Sequence, residues 1–202
     1  MPHCLPGAPE ESAELRARFG PDVLVLNGAG PGEQGGGGDR SALATSDSVS
    51  EAMPRYPWAH FACHAANRLD NPSASCLLLH DYADRPLTVL SVARLSLDHA
   101  ELAFLSACST ARTGAALPDE AINLGSAFQL AGYREVVATL WPVADRPAVC
   151  LAAMFYETLS AAGTAAETAD GAAMALHQAT RRLRGTLADQ PSAWAAHVHS
   201  GR

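Results

Sequence analysis

Two reactive side chains, His64 and Cys108, each follow directly on a short apolar run. Trp58-Ala59-His60-Phe61-Ala62-Cys63 precedes the first, and Leu102-Ala103-Phe104-Leu105-Ser106-Ala107 precedes the second. If both runs are parallel strands, both side chains fall just past carboxyl ends, the edge of an open α/β sheet where ligands and chemistry collect. A histidine beside a cysteine lowers the thiol pKa and supplies base and acid for acyl transfer. Cys108 leads into Ser109-Thr110 and a polar stretch, which is not the context of a core cysteine. The competing reading is structural: free cysteine is among the most buried residue types, and a strand-end histidine is often only a hydrogen-bonded core residue. His60 and Cys63 also carry reactive groups, but both lie inside an apolar run and read as packed positions.

Other chemistries are poorly served. All fourteen basic residues are arginine, and no lysine exists to serve a phosphate loop, a Schiff base or a kinase site. Gly28-Ala29-Gly30-Pro31-Gly32 follows an apolar run, but position 33 is Glu and Gly35 to Gly38 cannot open a stable helix, so no dinucleotide fingerprint results. Gly125-Ser126-Ala127-Phe128 does not satisfy the nucleophile-elbow pattern of serine hydrolases. The histidines lack zinc-like spacing, His197-x-His199 reads as a solvated tail, and neither metal nor cofactor is expected. Five cysteines, an odd number without a C-x-x-C pair, argue against a disulfide framework. A net charge of −7 without a basic cluster disfavours nucleic acid. Neither an apolar stretch of membrane-spanning length nor a secretory signal is visible, so the expected location is cytoplasmic.

The elements that must position the two side chains alternate along the chain. A helix is expected over Glu10 to Phe19 and a strand over Val23 to Leu26. A flexible glycine-rich loop follows at about 28–50. Strands are expected at Trp58 to Cys63, Cys76 to Leu79, Leu102 to Leu105 and Val136 to Leu140, with a short helix at Thr88 to Leu95. Ala121, Leu124, Phe128 and Ala131 share one helical face, with Asp119 and Glu120 at the positive end and Gly132 as the stop. Helices are expected over Pro147 to Ala161 and roughly Thr168 to Leu183. Pro191 to Trp194 closes the domain, Trp194 packing back on the core. This alternation in 202 residues predicts a single α/β domain with a mainly parallel sheet.

His60-Phe61-Ala62-Cys63-His64-Ala65 and Leu105-Ser106-Ala107-Cys108-Ser109-Thr110 resemble the corresponding blocks of the CHAT domain, a caspase-like cysteine peptidase family of clan CD. The likeness extends over Leu5 to Ala8 with Glu10 and Glu11, over Asp119 to Ile122 and Ala127 to Gly132, over Val136 to Asp145, and over Trp194 to Gly201. It therefore covers 1–202 as one domain, and the 44-residue spacing from His64 to Cys108 suits the family. The resemblance implies a three-layer α/β/α fold in which the strands ending at Cys63, Ala107 and Trp141 are parallel and adjacent. It implies Cys108 as nucleophile, His64 as general base and acid, and the backbone N–H groups of Ala65 and Cys108 as oxyanion hole, without a cofactor. Ala65 stands where the family usually carries glycine, and a positive φ there would cost about 1–2 kcal/mol.

The implied reaction is peptide-bond hydrolysis on a protein or peptide substrate, through a thioester. The alternative is a catalytically silent caspase-like module that binds other proteins. Trp141-Pro142-Val143-Ala144-Asp145 is expected to border the substrate cleft, with Trp141, Asp145 and Asp119 as candidate substrate-binding residues favouring a basic side chain. Either aspartate has a competing role as a helix cap. Family members carry further chain ahead of Leu5, including an inner strand, and commonly follow tetratricopeptide-like repeats. The expectation is thus a piece trimmed at its N-terminus, partnered by the upstream region or by a repeat-containing regulator.

Overall fold

The computed structural model describes residues 5–27, 43–68, 70–107, 123–161 and 171–201. Its centre is a four-stranded sheet of β1 (Trp58–Phe61), β5 (Leu102–Leu105), β6 (Glu135–Thr139) and β7 (His197–Ser200), in the order β1-β5-β6-β7. The first three strands are parallel and adjacent, as expected, and β7 runs antiparallel to β6. A second, antiparallel sheet is built from β2 (Ala65–Ala66), β3 (Cys76–Leu77) and β4 (Leu87–Thr88). Cys76 to Leu79 therefore belongs to this satellite sheet, shorter than expected, and not to the main one.

Strand β5 shows why the layers form. All four of its residues are fully buried, and alternation sends Leu102 and Phe104 to one face, Ala103 and Leu105 to the other. Each large apolar side chain so buried contributes roughly 1.5–3 kcal/mol. The Phe104 face is covered by α1 (Ala8–Phe19), α5 (Asp145–Ala161), α6 (Ala172–Thr186) and α7 (Pro191–Trp194), with Trp194 packed on that cluster. The Leu105 face meets α3 (Val89–Ala93), α4 (Leu124–Ala131), the satellite sheet and Val49 and Met53 from around α2 (Ser46–Ala52). Helices thus cover both faces of a mostly parallel sheet.

Several expected elements are corrected. Val23 to Leu26 is not a strand: Leu24 is exposed, and among the described residues the only pairing nearby is a parallel bridge from Asn27 to Leu43. The expected loop at 28–50 contains the start of α2, because Thr45 and Ser48 form a reciprocal capping box while Val49 is buried; positions 28–42 lie outside the described residues. Helix α4 starts at Leu124, where the Asn123 side chain accepts from the Ser126 N–H. Asn123 thus takes the capping role considered for Asp119, which lies outside the described residues. Its end is as expected: Gly132 has φ +126°, and a Cβ there would collide with the Leu97 carbonyl, so only glycine fits. Helix α6 begins at Ala172, after the expected Thr168, and runs on to Thr186. His197-x-His199 is no solvated tail; both histidines belong to β7, and His197 is buried. Among the described residues, no helix is long and apolar enough to cross a membrane.

Candidate active site

The carboxyl edge of the main sheet is set by the register of β1 and β5, in which Phe61 lies opposite Leu105. His64 follows three residues after Phe61, between β1 and β2, and is partly buried. Cys108 lies outside the described residues, and Ala107 is the last residue described before it. The 44-residue offset between β1 and β5 equals the spacing from His64 to Cys108.

Ala65 sits in β2 opposite Leu77. The Leu78 N–H donates to the His64 carbonyl at 2.8 Å, which makes His64 and Leu78 a hydrogen-bonded pair. In an antiparallel ladder such pairs alternate, so Ala65 is at a non-hydrogen-bonded position and its N–H turns away from β3. Because Ala65 lies in a strand, its backbone is extended and the conformational cost tied to glycine at this position does not arise.

A buried polar network lies against the last residues of β5. The Ser106 hydroxyl donates to Glu11 Oε1 at 3.1 Å, and Glu11 Oε2 meets His60 Nε2 at 2.7 Å. His60 Nδ1 lies 3.1 Å from the Tyr156 hydroxyl, and the imidazole stacks on Phe104 at 5.1 Å. Burial, reinforced by the Glu11 carboxylate, raises the Tyr156 phenol well above its ordinary pKa, so it remains a donor. One assignment satisfies every member: Tyr156 donates to Nδ1, and Nε2–H donates to Glu11. On the other side, the Thr139 hydroxyl donates to the Ala107 carbonyl at 2.5 Å. Ser106 and Ala107 are therefore held from α1 and from β6 at once.

His197, opposite Thr139 on β7, borders the same space. Neither of its ring nitrogens has a hydrogen-bond partner among the described residues. Burial pushes its pKa down to about 4, with Glu11 opposing weakly, so the ring is neutral near pH 7. A cleft here is lined by Glu11, Ser106, Ala107, Thr139, Asp145 and His197, with apolar walls between them. The cleft is small, with about 20 Å³ open to a water-sized group.

Asp145 is thus at this edge, as the first residue of α5, where a carboxylate also complements the helix dipole. Trp141 is directed elsewhere: its indole N–H donates to the Ser192 carbonyl at 2.8 Å, bracing the loop against α7. Cys76 is buried, and desolvation raises its thiol pKa with Arg68 opposing, which leaves it a poor nucleophile. His60 is packed, as its apolar context implied, and is also the centre of the network. Glu11 and His197 were not visible as site residues in sequence. The available signal for Glu11 was a carboxylate at the i−4 and i−8 positions of Leu15 and Phe19, on the apolar stripe of α1.

A family model described as the CHAT domain matches residues 2–202 of this chain. Among curated proteins, none matches.

Proposed function

The chain belongs to the CHAT domain family, and from that membership we propose that it is a cysteine endopeptidase working through Cys108 and His64. The observation that carries this reading is the register. His64 and Cys108 each stand three residues beyond a directly paired couple, Phe61 and Leu105, on neighbouring parallel strands. Such strands run about 4.8 Å apart. Ala107, the residue that precedes Cys108 in sequence, has its carbonyl held by Thr139.

The chemistry follows from the two groups. His64 takes the thiol proton as Cys108 Sγ attacks the scissile carbonyl carbon, and the developing oxyanion is met by backbone N–H groups, that of Ala65 among them. The direction of the Ala65 N–H, away from its ladder partner, leaves it unused by β3 and supports that role. Collapse of the tetrahedral intermediate breaks the C–N bond, His64 returns the proton to the leaving amine, and a thioester remains. Water, deprotonated by His64, then hydrolyses the thioester to acid and free thiol. No cofactor enters this sequence. Asp145 borders the cleft beside Ala107 and selects among substrate side chains, Trp141 fixes the loop that carries it, and Asp119 is held in reserve as a second acidic contact. Digestion of a peptide library by the wild-type protein and by Cys108→Ala and His64→Ala tests the reading. Cleavage by the first alone supports it, whereas equal inactivity of all three returns the chain to a silent binding module.

A further inference from the structure

We propose that Glu11 is a positioning residue for the thiol chemistry, acting through Ser106 and His60 to clamp together the two strands that lead to Cys108 and His64. This deepens the peptidase reading and rests on it for Cys108 as the nucleophile.

The argument starts from helix α1. Of its twelve residues Glu11 is the one that is buried, and a carboxylate is costly to bury unless its oxygens find donors. The apolar contacts of the same helix come from Leu15 and Phe19, so packing does not call for a glutamate there. Its two oxygens go to two different strands. Oε1 accepts from the Ser106 hydroxyl at 3.1 Å, and Oε2 meets His60 Nε2 at 2.7 Å. His60 lies in β1, four residues before His64, and Ser106 follows β5, two residues before Cys108. One planar carboxylate thus spans the strand ahead of each proposed reacting group.

The ladders make that span necessary. Pairing of β1 with β5 ends at Phe61 and Leu105, and pairing of β5 with β6 ends at Phe104 and Val137. Ser106 and Ala107 lie beyond both registers, and two buried side-chain hydrogen bonds reach them, from Glu11 and from Thr139. Four of the six buried polar or charged residues among those described, Glu11, Ser106, Thr139 and His197, border this one cleft. Such groups are retained inside a fold at a cost, and here they converge where the chain leaves the sheet towards Cys108. A misplacement of about 1 Å imposed from a distance can slow a reaction by roughly 100-fold.

The test uses the full chain and one peptide that the wild-type protein cuts. Ser106→Ala is decisive, because it leaves the Glu11–His60 pair in place and spares a purely structural role. It is expected to lower kcat by roughly 10- to 100-fold, with KM near the wild-type value. Glu11→Ala should lose at least as much, and the double variant no more than Glu11→Ala alone. Glu11→Gln keeps an acceptor for Ser106 and offers its amide to His60, so kcat should return to within about threefold of wild type. Wild-type kcat in Ser106→Ala, a double variant whose loss is the product of the two, or Glu11→Gln no better than Glu11→Ala overturns the inference and leaves the peptidase reading standing. If the wild-type protein cuts no peptide, the peptidase reading fails and labelling of Cys108 by iodoacetamide near neutral pH decides. Ser106→Ala and Glu11→Ala should then label more slowly than wild type by roughly tenfold. Equal labelling rates in the three proteins overturn the inference.

Discussion

Two partly buried glutamate–histidine pairs stand in the main sheet region, and their surroundings differ. Glu11 meets His60 close to the carboxyl edge, where the same carboxylate holds Ser106 and borders the cleft. Glu135 meets His199 at the opposite end, where β6 begins and β7 finishes, next to Gly201. The second pair fastens a terminal strand to its neighbour. The first joins three distant parts of the chain beneath the residues that precede Cys108. The same pairing therefore fastens a strand at one end and borders the cleft at the other.

The largest expected effect separates the two ends by activity. Cys108→Ala and His64→Ala should each lower turnover by roughly 10³-fold or more while leaving the circular dichroism spectrum unchanged. Glu135→Ala should leave turnover per folded molecule near the wild-type value. Equal loss of turnover in all three variants would break the comparison.

Stability gives the next effect. Glu11→Ala and Glu135→Ala each remove the carboxylate partner of a partly buried histidine, and urea unfolding should show a loss of about 1–3 kcal/mol for either. Only the Glu11 change also releases Ser106, so only it should raise the pH needed for Cys108 alkylation. Matching alkylation profiles in the two variants would mean that Glu11 is structural as well.

A third effect concerns His197, which among the described residues has no partner comparable to that of His60 or His199. Its folded pKa of about 4 lies below the ordinary 6.5. The unfolded chain therefore binds more protons between those values, and stability rises with pH through that window. The contribution is fully present above pH 6.5 and is lost as pH falls towards 4, an order-of-magnitude change of ~3 kcal/mol. Urea unfolding from pH 7 to 4 should show this slope, and His197→Phe should flatten it. An unchanged slope in the variant would assign the acid sensitivity to other groups.

How much of this was legible in sequence differs between the same regions. Leu102 to Leu105 was readable because a fully buried parallel strand needs an unbroken apolar run, and the matching run at Trp58 to Phe61 placed His64 at the same edge. Val23 to Leu26 carries the same kind of signal and forms no ladder, since an apolar run does not say whether a neighbour is available. Glu11 was legible as a helix residue only, because its partners His60 and Ser106 are 49 and 95 positions away. His197 and His199 looked solvated because a polar strand on a sheet edge alternates with a single valine, too little periodicity to mark it.

The smallest effect refines the cleft. Asp145 borders it from the first turn of α5 and is partly exposed, so its charge is screened by solvent. Asp145→Ala should reduce the preference for a basic over a neutral substrate side chain by less than about tenfold in kcat/KM, within the reach of one partly exposed charge. An unchanged preference would remove Asp145 from recognition.

The proposed peptidase activity requires Cys108 to be an activated thiol served by His64. The rate of iodoacetamide alkylation at Cys108, followed from pH 5 to 10 by mass spectrometry of the labelled peptide, tests it most directly. An inflection well below pH 8 in the wild-type protein, moving up towards the ordinary thiol value of about 8.5 in His64→Ala, is the predicted result. A single inflection near 8.5 in both proteins would contradict the claim, leaving a caspase-like fold that binds without cutting.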